Sequence, residues 1–137
     1  MKDKKKWMMT ATAAVGALIG RICYECRHFT TEYYDVASDK IPEAFEGFRF
    51  VVLSDLHNYD FDQGNRKLLR AIERLKPDAV MIAGDMIDAH PGADMSAAVR
   101  MVRDLCDRWP VYFGNGNHEQ RIALYSETYG DMHARWC

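Results

Sequence analysis

The sequence predicts an α/β domain built on a parallel sheet, and three observations lead there. Short apolar runs containing β-branched residues alternate with segments of helical period. The order is strand, helix, strand, helix, strand, helix, the pattern of parallel strands joined by helical crossovers. A polar cluster rich in Asp, Asn, His and Gly follows each apolar run, where open α/β sheets bind their ligands.

The elements follow in order. Phe50-Val51-Val52-Leu53 is a continuous apolar run and reads as a strand buried on both faces. Asn65 to Lys76 places Leu68, Leu69, Ile72 and Leu75 at helical spacing, and Pro77 ends it. Arg66, Lys67 and Arg70 form its solvated side. Ala79 to Ala83 is the second buried strand. Ser96 to Asp107 carries Val99, Val102, Leu105 and Cys106 on one helical face, with Ser96 as the candidate N-cap. Val111-Tyr112-Phe113 is a third, short strand, and Glu119 to Tyr129 a last helix. Met81, Met86, Met95 and Met101 read as core or loop filler rather than a copper site.

Length and composition bound the rest. With 137 residues the chain has room for one domain, and 48% apolar residues suffice for a folded core. A formal charge of −2 offers no nucleic-acid-binding surface. Cys23 and Cys26 form one isolated C-x-x-C, which is half of a typical zinc site; Cys106 and Cys137 stand alone. A disulfide, a redox pair or two plain thiols all remain open for the pair.

The start of the chain is different in character. Lys2, Lys4, Lys5 and Lys6 precede an uncharged stretch from Trp7 to Gly20. That stretch is shorter than the ~20 residues of a comfortable membrane span. With its basic flank it reads as a signal peptide or short membrane anchor over 1–22, against an ordinary buried helix. An anchor would keep the lysines cytoplasmic and the remainder outside. Residues 23–47 form a linker, in which Tyr33, Tyr34 and Val36 suggest a short strand and Ile41-Pro42 a break. Residues 48–137 then make up the α/β region.

The chemistry lies in the three polar clusters. Ser54-Asp55-Leu56-His57-Asn58 follows the first strand, Gly84-Asp85 the second with Asp88 nearby, and Gly114-Asn115-Gly116-Asn117-His118-Glu119 the third. Asp55 and Asp85 offer hard anionic oxygens, His57 an imidazole nitrogen and Asn117 an amide oxygen. Such mixed ligation suits Mn, Fe or Zn better than Ca. Glycines before Asp85 and Asn117 let the backbone bend and come close.

Asp55-Leu56-His57, Gly84-Asp85 and Gly116-Asn117-His118-Glu119, in this order and each after a strand, resemble the calcineurin-like metallophosphoesterase family. The lead-in from Ile41-Pro42 to Phe48-Arg49 is similar to the bacterial membrane-associated branch typified by YkuE. The resemblance implies a two-sheet sandwich flanked by helices. It implies two divalent metal ions (Mn, Fe or Zn), with Asp55 and His57 on the first, Asp85 bridging both, and Asn117 on the second. His118 would be catalytic, acting on the leaving-group side of a phosphoester substrate without binding metal. Glu119 would be a helix-start residue near the N-terminal dipole. The implied reaction is hydrolysis of a phosphate mono- or diester by a hydroxide activated between the metals. The setting would be the extracytoplasmic face of a bacterial membrane.

The family pattern continues with a lone His and a G-H-x-H segment, which this chain lacks before Cys137. His133 does not fit that pattern, and His28 and His90 read as surface histidines. The expectation is therefore the N-terminal half of such a domain, with apolar faces left bare and weak metal binding. The alternative is a non-catalytic, membrane-tethered α/β fragment that acts through a partner chain.

Overall fold

The computed structural model describes residues 2–25 and 27–124. The chain divides into two units, Met1–Val36 and Ala37–Cys137. In the first, α1 runs over Lys2–Glu25. Its exposed apolar side chains include Trp7, Val15, Leu18, Ile19 and Ile22. Arg21 and Glu25 pair one turn apart at 2.9 Å. His28 stacks on Tyr24, and its Nδ1 lies 2.7 Å from the Tyr24 carbonyl. Among the described residues no helix is long and apolar enough to cross a membrane. Tyr33, Tyr34 and Val36 form no strand, and all three are exposed.

The second unit follows the predicted alternation: β1 (Phe50–Leu53), α2 (Arg66–Leu75), β2 (Ala79–Ile82), α3 (Ser96–Cys106), β3 (Val111–Phe113) and α4 (Asn117–Leu124). The strands form one parallel sheet in the order β1-β2-β3. Val51 pairs with Val80 and Val80 with Val111; Val52 pairs with Met81 and Met81 with Tyr112. A right-handed crossover is the rule, and both crossovers here step the same way across the sheet. Both helices therefore lie on one face. Val51, Val80 and Ile82 are buried beneath them, with Leu68, Leu69 and Ile72 of α2 and Ala97, Ala98, Met101 and Leu105 of α3.

That arrangement corrects the expectation of a first strand buried on both faces. Phe50 is 43% exposed and Val52 63%, and Met81 and Tyr112 beside them are exposed as well. Among the described residues of this unit, no element covers this second face. The apolar face of α3 also differs from the expected one. Ala98, Met101 and Leu105 are fully buried, whereas Cys106 is exposed. The buried face runs through Ala97, Ala98, Met101 and Leu105, and Cys106 lies off it. Ser96 is not the N-cap of α3 but its first residue, after Met95; the Asp94 carboxylate accepts the Ser96 N–H at 2.9 Å. Met86, Met95 and Met101 are core residues and Met81 is on the open face. The last helix begins at Asn117, two residues earlier than expected; the rest of the expected span, His133 and Cys137 lie outside the described residues.

The turn between β1 and α2 is organised by Asp60. Its carboxylate accepts N–H groups from Asp62, Gly64 and Asn65 at 2.7–3.1 Å. Asn65, fully buried with φ 60°, closes the turn: its Oδ1 accepts Phe61 N–H and its Nδ2 donates to the Tyr59 carbonyl. Asn tolerates this left-handed backbone better than most residues. Desolvation opposes the charged form of Asp60. The backbone bonds from Asn65, Gly64 and Asp62, with Arg100, outweigh it and hold the carboxyl below its ordinary value. A depressed carboxyl contributes stability that is present above the unfolded pKa and lost as pH falls through the folded one. Urea midpoints of the wild type should therefore drop on acidification below about pH 4, and Asp60→Asn should show a shallower drop over that window. Parallel pH curves for the two proteins would count against this role.

Candidate metal centre

The ladder between β1 and β2 continues beyond the strands and carries the site. Ala83 N–H donates to Leu53, Asp55 N–H to Gly84, His57 N–H to Asp85 and Asn58 N–H to Met86, all at 2.8–3.1 Å. On the other side Gly114 N–H donates to Ile82 at 2.8 Å. The loops after β1 and β2 are thus stitched together by backbone bonds. Leu56, Met86 and Ile87 are buried and pin the loops to the core. Asp55 and His57 turn outward, whereas Asn58 is half-buried and its Nδ2 donates to the Asp88 carbonyl at 3.2 Å.

The stitching holds the backbone in sparsely populated conformations. Asp55 (φ 58°), His57 (φ 48°), Asn58 (φ 60°) and Asp85 (φ 52°) are all left-handed. Each such residue costs on the order of 1–2 kcal/mol, and persists because its surroundings over-determine it. Ligand atoms of Asp55, His57 and Asp85 lie within 4.8 Å of one another. His57 Nε2 is 3.5 Å from Asp55 Oδ1, and Ser54 Oγ donates to the other Asp55 oxygen. Two carboxylates and one imidazole, converging and partly exposed, are a donor set that fits a divalent transition-metal ion. Asn117 opens α4 at the same end of the sheet and is exposed.

His118 meets the site from α4. Its backbone N–H donates to Asp85 Oδ1 at 2.9 Å, and its ring stands edge-on to His57 with centroids 4.8 Å apart. Ala89 N–H donates to His118 Nδ1 at 2.9 Å. Asp88 Oδ1 lies 3.4 Å from the same nitrogen, which would call for a proton there. The shorter, directed bond from Ala89 outweighs it: Nδ1 accepts, which leaves Nε2 as the ring's donor nitrogen. His57, Asp88 and His118 form a second group of mutually close ligand atoms. Sequence reasoning noted Asp88 without a role; its signal was its place one short turn after Asp85. His90 and His28 are exposed and outside both groups. Cys23 and Cys106 are free thiols, and Cys26 lies outside the described residues.

Glu119 was undervalued as a helix-start residue. It is the third residue of α4, yet only 4% exposed. Its Oε2 accepts Asp85 N–H at 2.9 Å and Gly116 N–H at 2.8 Å; its Oε1 accepts Met86 N–H at 2.9 Å and Ile87 N–H at 3.4 Å. The bond to Gly116 is the return half of a capping box, readable as G-x-x-E before a helix. The bonds to the loop after β2 had no sequence signal.

The profile of the calcineurin-like phosphoesterase family matches residues 48–136, and the chain belongs to that family. A transmembrane protein with metallophosphoesterase domain from Danio rerio is 35% identical over 92 residues, covering 65% of this chain and 21% of that protein. The protein of the same description from Bos taurus is 31% identical over 88 residues, covering 62% and 19%. An uncharacterized metallophosphoesterase from Campylobacter jejuni is 29% identical over 82 residues, covering 58% and 22%. The chain thus spans about a fifth of the length of these curated relatives. No solved structure gives a significant match.

Glycine is required where the loops after β2 and β3 touch. A Cβ on Gly84, which has φ 99°, would lie 2.3 Å from Gly116 N; one on Gly116 would lie 2.3 Å from Asp85 Oδ1. Both are far inside contact distance and meet atoms held by hydrogen bonds. Gly84→Ala should cost about 2–4 kcal/mol in urea unfolding through clash and backbone strain. An unchanged midpoint would mean that the two loops separate freely.

Proposed function

We propose that this chain carries the N-terminal ligand set of a dinuclear metallophosphoesterase that hydrolyses phosphate mono- or diesters. The observation that carries the reading is the convergence of Asp55, His57 and Asp85 within 4.8 Å at the carboxyl ends of adjacent parallel strands. Family membership supports the same reading. Asp55, His57, Asp85 and Asn117 would hold the two divalent ions (Mn, Fe or Zn), Asp55 and His57 serving the first, Asn117 the second and Asp85 both. When bound, such ions supply Lewis acidity and lower the pKa of a water. The residues of the chain do the rest. The backbone bonds after β1 and β2 hold the ligands in place before substrate arrives, so little reorganisation remains to be made. His118, with Nδ1 accepting from Ala89, would present Nε2–H as a hydrogen-bond donor that stabilises the charge developing on the leaving oxygen.

The N-terminal unit supports membrane association. Two relatives are described as transmembrane proteins, and α1 joins a lysine-rich start to exposed apolar side chains. We read 1–22 as signal or anchor, 23–47 as linker and 48–137 as the catalytic region, on the extracytoplasmic side of a bacterial membrane as in the YkuE-like branch. Flotation with anionic lipid vesicles tests this: deletion of residues 2–22 should abolish it, and retention of flotation would reject it. A second reading draws on the open sheet face of Val52, Met81 and Tyr112. In it the chain is non-catalytic and works through a partner that covers that face.

Hydrolysis of an activated phosphodiester with added Mn²⁺ separates the two. The first reading expects metal-dependent turnover that Asp55→Asn and Asp85→Asn each reduce by about a hundredfold or more, given the several kcal/mol at stake in metal catalysis. Turnover indifferent to metal and to both substitutions would eliminate it.

A further inference from the structure

Glu119 is the one buried carboxylate among the described residues. A buried carboxylate needs its acceptor sites filled, and here four backbone N–H groups fill them. The donors come from two separate loops. Asp85, Met86 and Ile87 belong to the loop after β2, and Gly116 to the loop after β3. None of the four N–H groups has a backbone acceptor. Oε2 alone bridges the loops by taking Asp85 N–H and Gly116 N–H together.

The consequence passes through Asp85. Its N–H is held by Glu119, its C=O accepts His57 N–H, and its Oδ1 accepts His118 N–H. Asp85 is left-handed, a conformation that a non-glycine residue keeps only under constraint. Glu119 supplies that constraint from the one direction the ladder does not.

From this geometry we infer that Glu119 is a positioning residue for metal binding: it fixes the backbone of Asp85, and through Asp85 the orientation of His57 and His118, without touching metal or substrate. The inference rests on the metal site proposed above. Glu119→Gln keeps the size but replaces one acceptor oxygen with an NH2 group facing two N–H donors: in the Oε2 place it breaks the bridge between Asp85 and Gly116, and in the Oε1 place it drops Met86 and Ile87 and loosens the loop after β2. Leu105, fully buried in the last turn of α3, at the end of that helix away from the loop after β2, serves as the control, since Leu105→Ala removes core packing and leaves the Glu119 bonds in place.

The test is Mn²⁺ titration of the full chain by calorimetry, with urea unfolding of each variant. Glu119→Gln should weaken Mn²⁺ binding by about tenfold or more, the usual scale for residues that orient ligands. Leu105→Ala should lower the urea midpoint at least as much and leave Mn²⁺ affinity unchanged. Equal affinity for Glu119→Gln and wild type, or an equal loss in Leu105→Ala, overturns the inference. A wild type that binds no Mn²⁺ overturns the metal site itself, which is a different failure. Hydrogen exchange on the wild type gives a reading that does not need a folded variant. The amides of Asp85, Met86 and Gly116 should be protected although they lack backbone partners, and exchange at the rate of open loops would reject the clamp.

Discussion

Parallel pairing in the order β1-β2-β3, with both crossovers stepping in one direction, sets almost everything else in the second unit. It gathers the carboxyl ends of all three strands at one edge, so that residues far apart in sequence become neighbours there. It also sends α2 and α3 to the same face, where Ile72, Met101 and Leu105 complete a dry core against Val80 and Ile82. The same constraint leaves the opposite face uncovered among the described residues, with Val52 and Tyr112 exposed. A site at one edge and a bare apolar face on one side are therefore two results of one topology.

Topology brings the loops near one another; hydrogen bonds make them exact enough for ligation. The β1–β2 ladder runs on through Asp55, His57 and Asn58, which forces those residues into left-handed backbone. Short polar side chains tolerate that conformation better than apolar ones, which is one reason why Asp, His and Asn can occupy these positions. Leu56, Met86 and Ile87 alternate with them and bind the loops to the core. Gly84 and Gly116 let two backbones meet at distances that a side chain would forbid. Glu119 then joins the β2 and β3 loops across that contact.

Much of this was legible in the sequence. Apolar runs and helical spacing placed β1, α2, β2, α3 and β3 to within a residue or two, because Pro77 and the loop clusters punctuate them. The convergence of Asp55, His57 and Asp85 followed from their places after parallel strands. What was not legible depends on tertiary neighbours. Exposure of Phe50 and Val52 follows from which side the crossovers take, and an apolar run alone cannot report that. The buried face of α3 was misjudged because Ala97 and Ala98 carry a weak hydrophobic signal although their small size governs packing. The β2-loop bonds of Glu119 and the approach of Asp88 to His118 join residues about thirty positions apart, so no local pattern encodes them.

The central claim is that the three strand ends form one metal centre. Paramagnetic broadening of backbone amides on titration of the full chain with Mn²⁺ tests it most directly, because it locates the ion without requiring turnover. The account predicts that residues 54–58, 84–88 and 115–119 lose intensity first and together, and that Asp85→Asn removes the effect in all three loops. Broadening that begins elsewhere, or that affects one loop without the others, would contradict it.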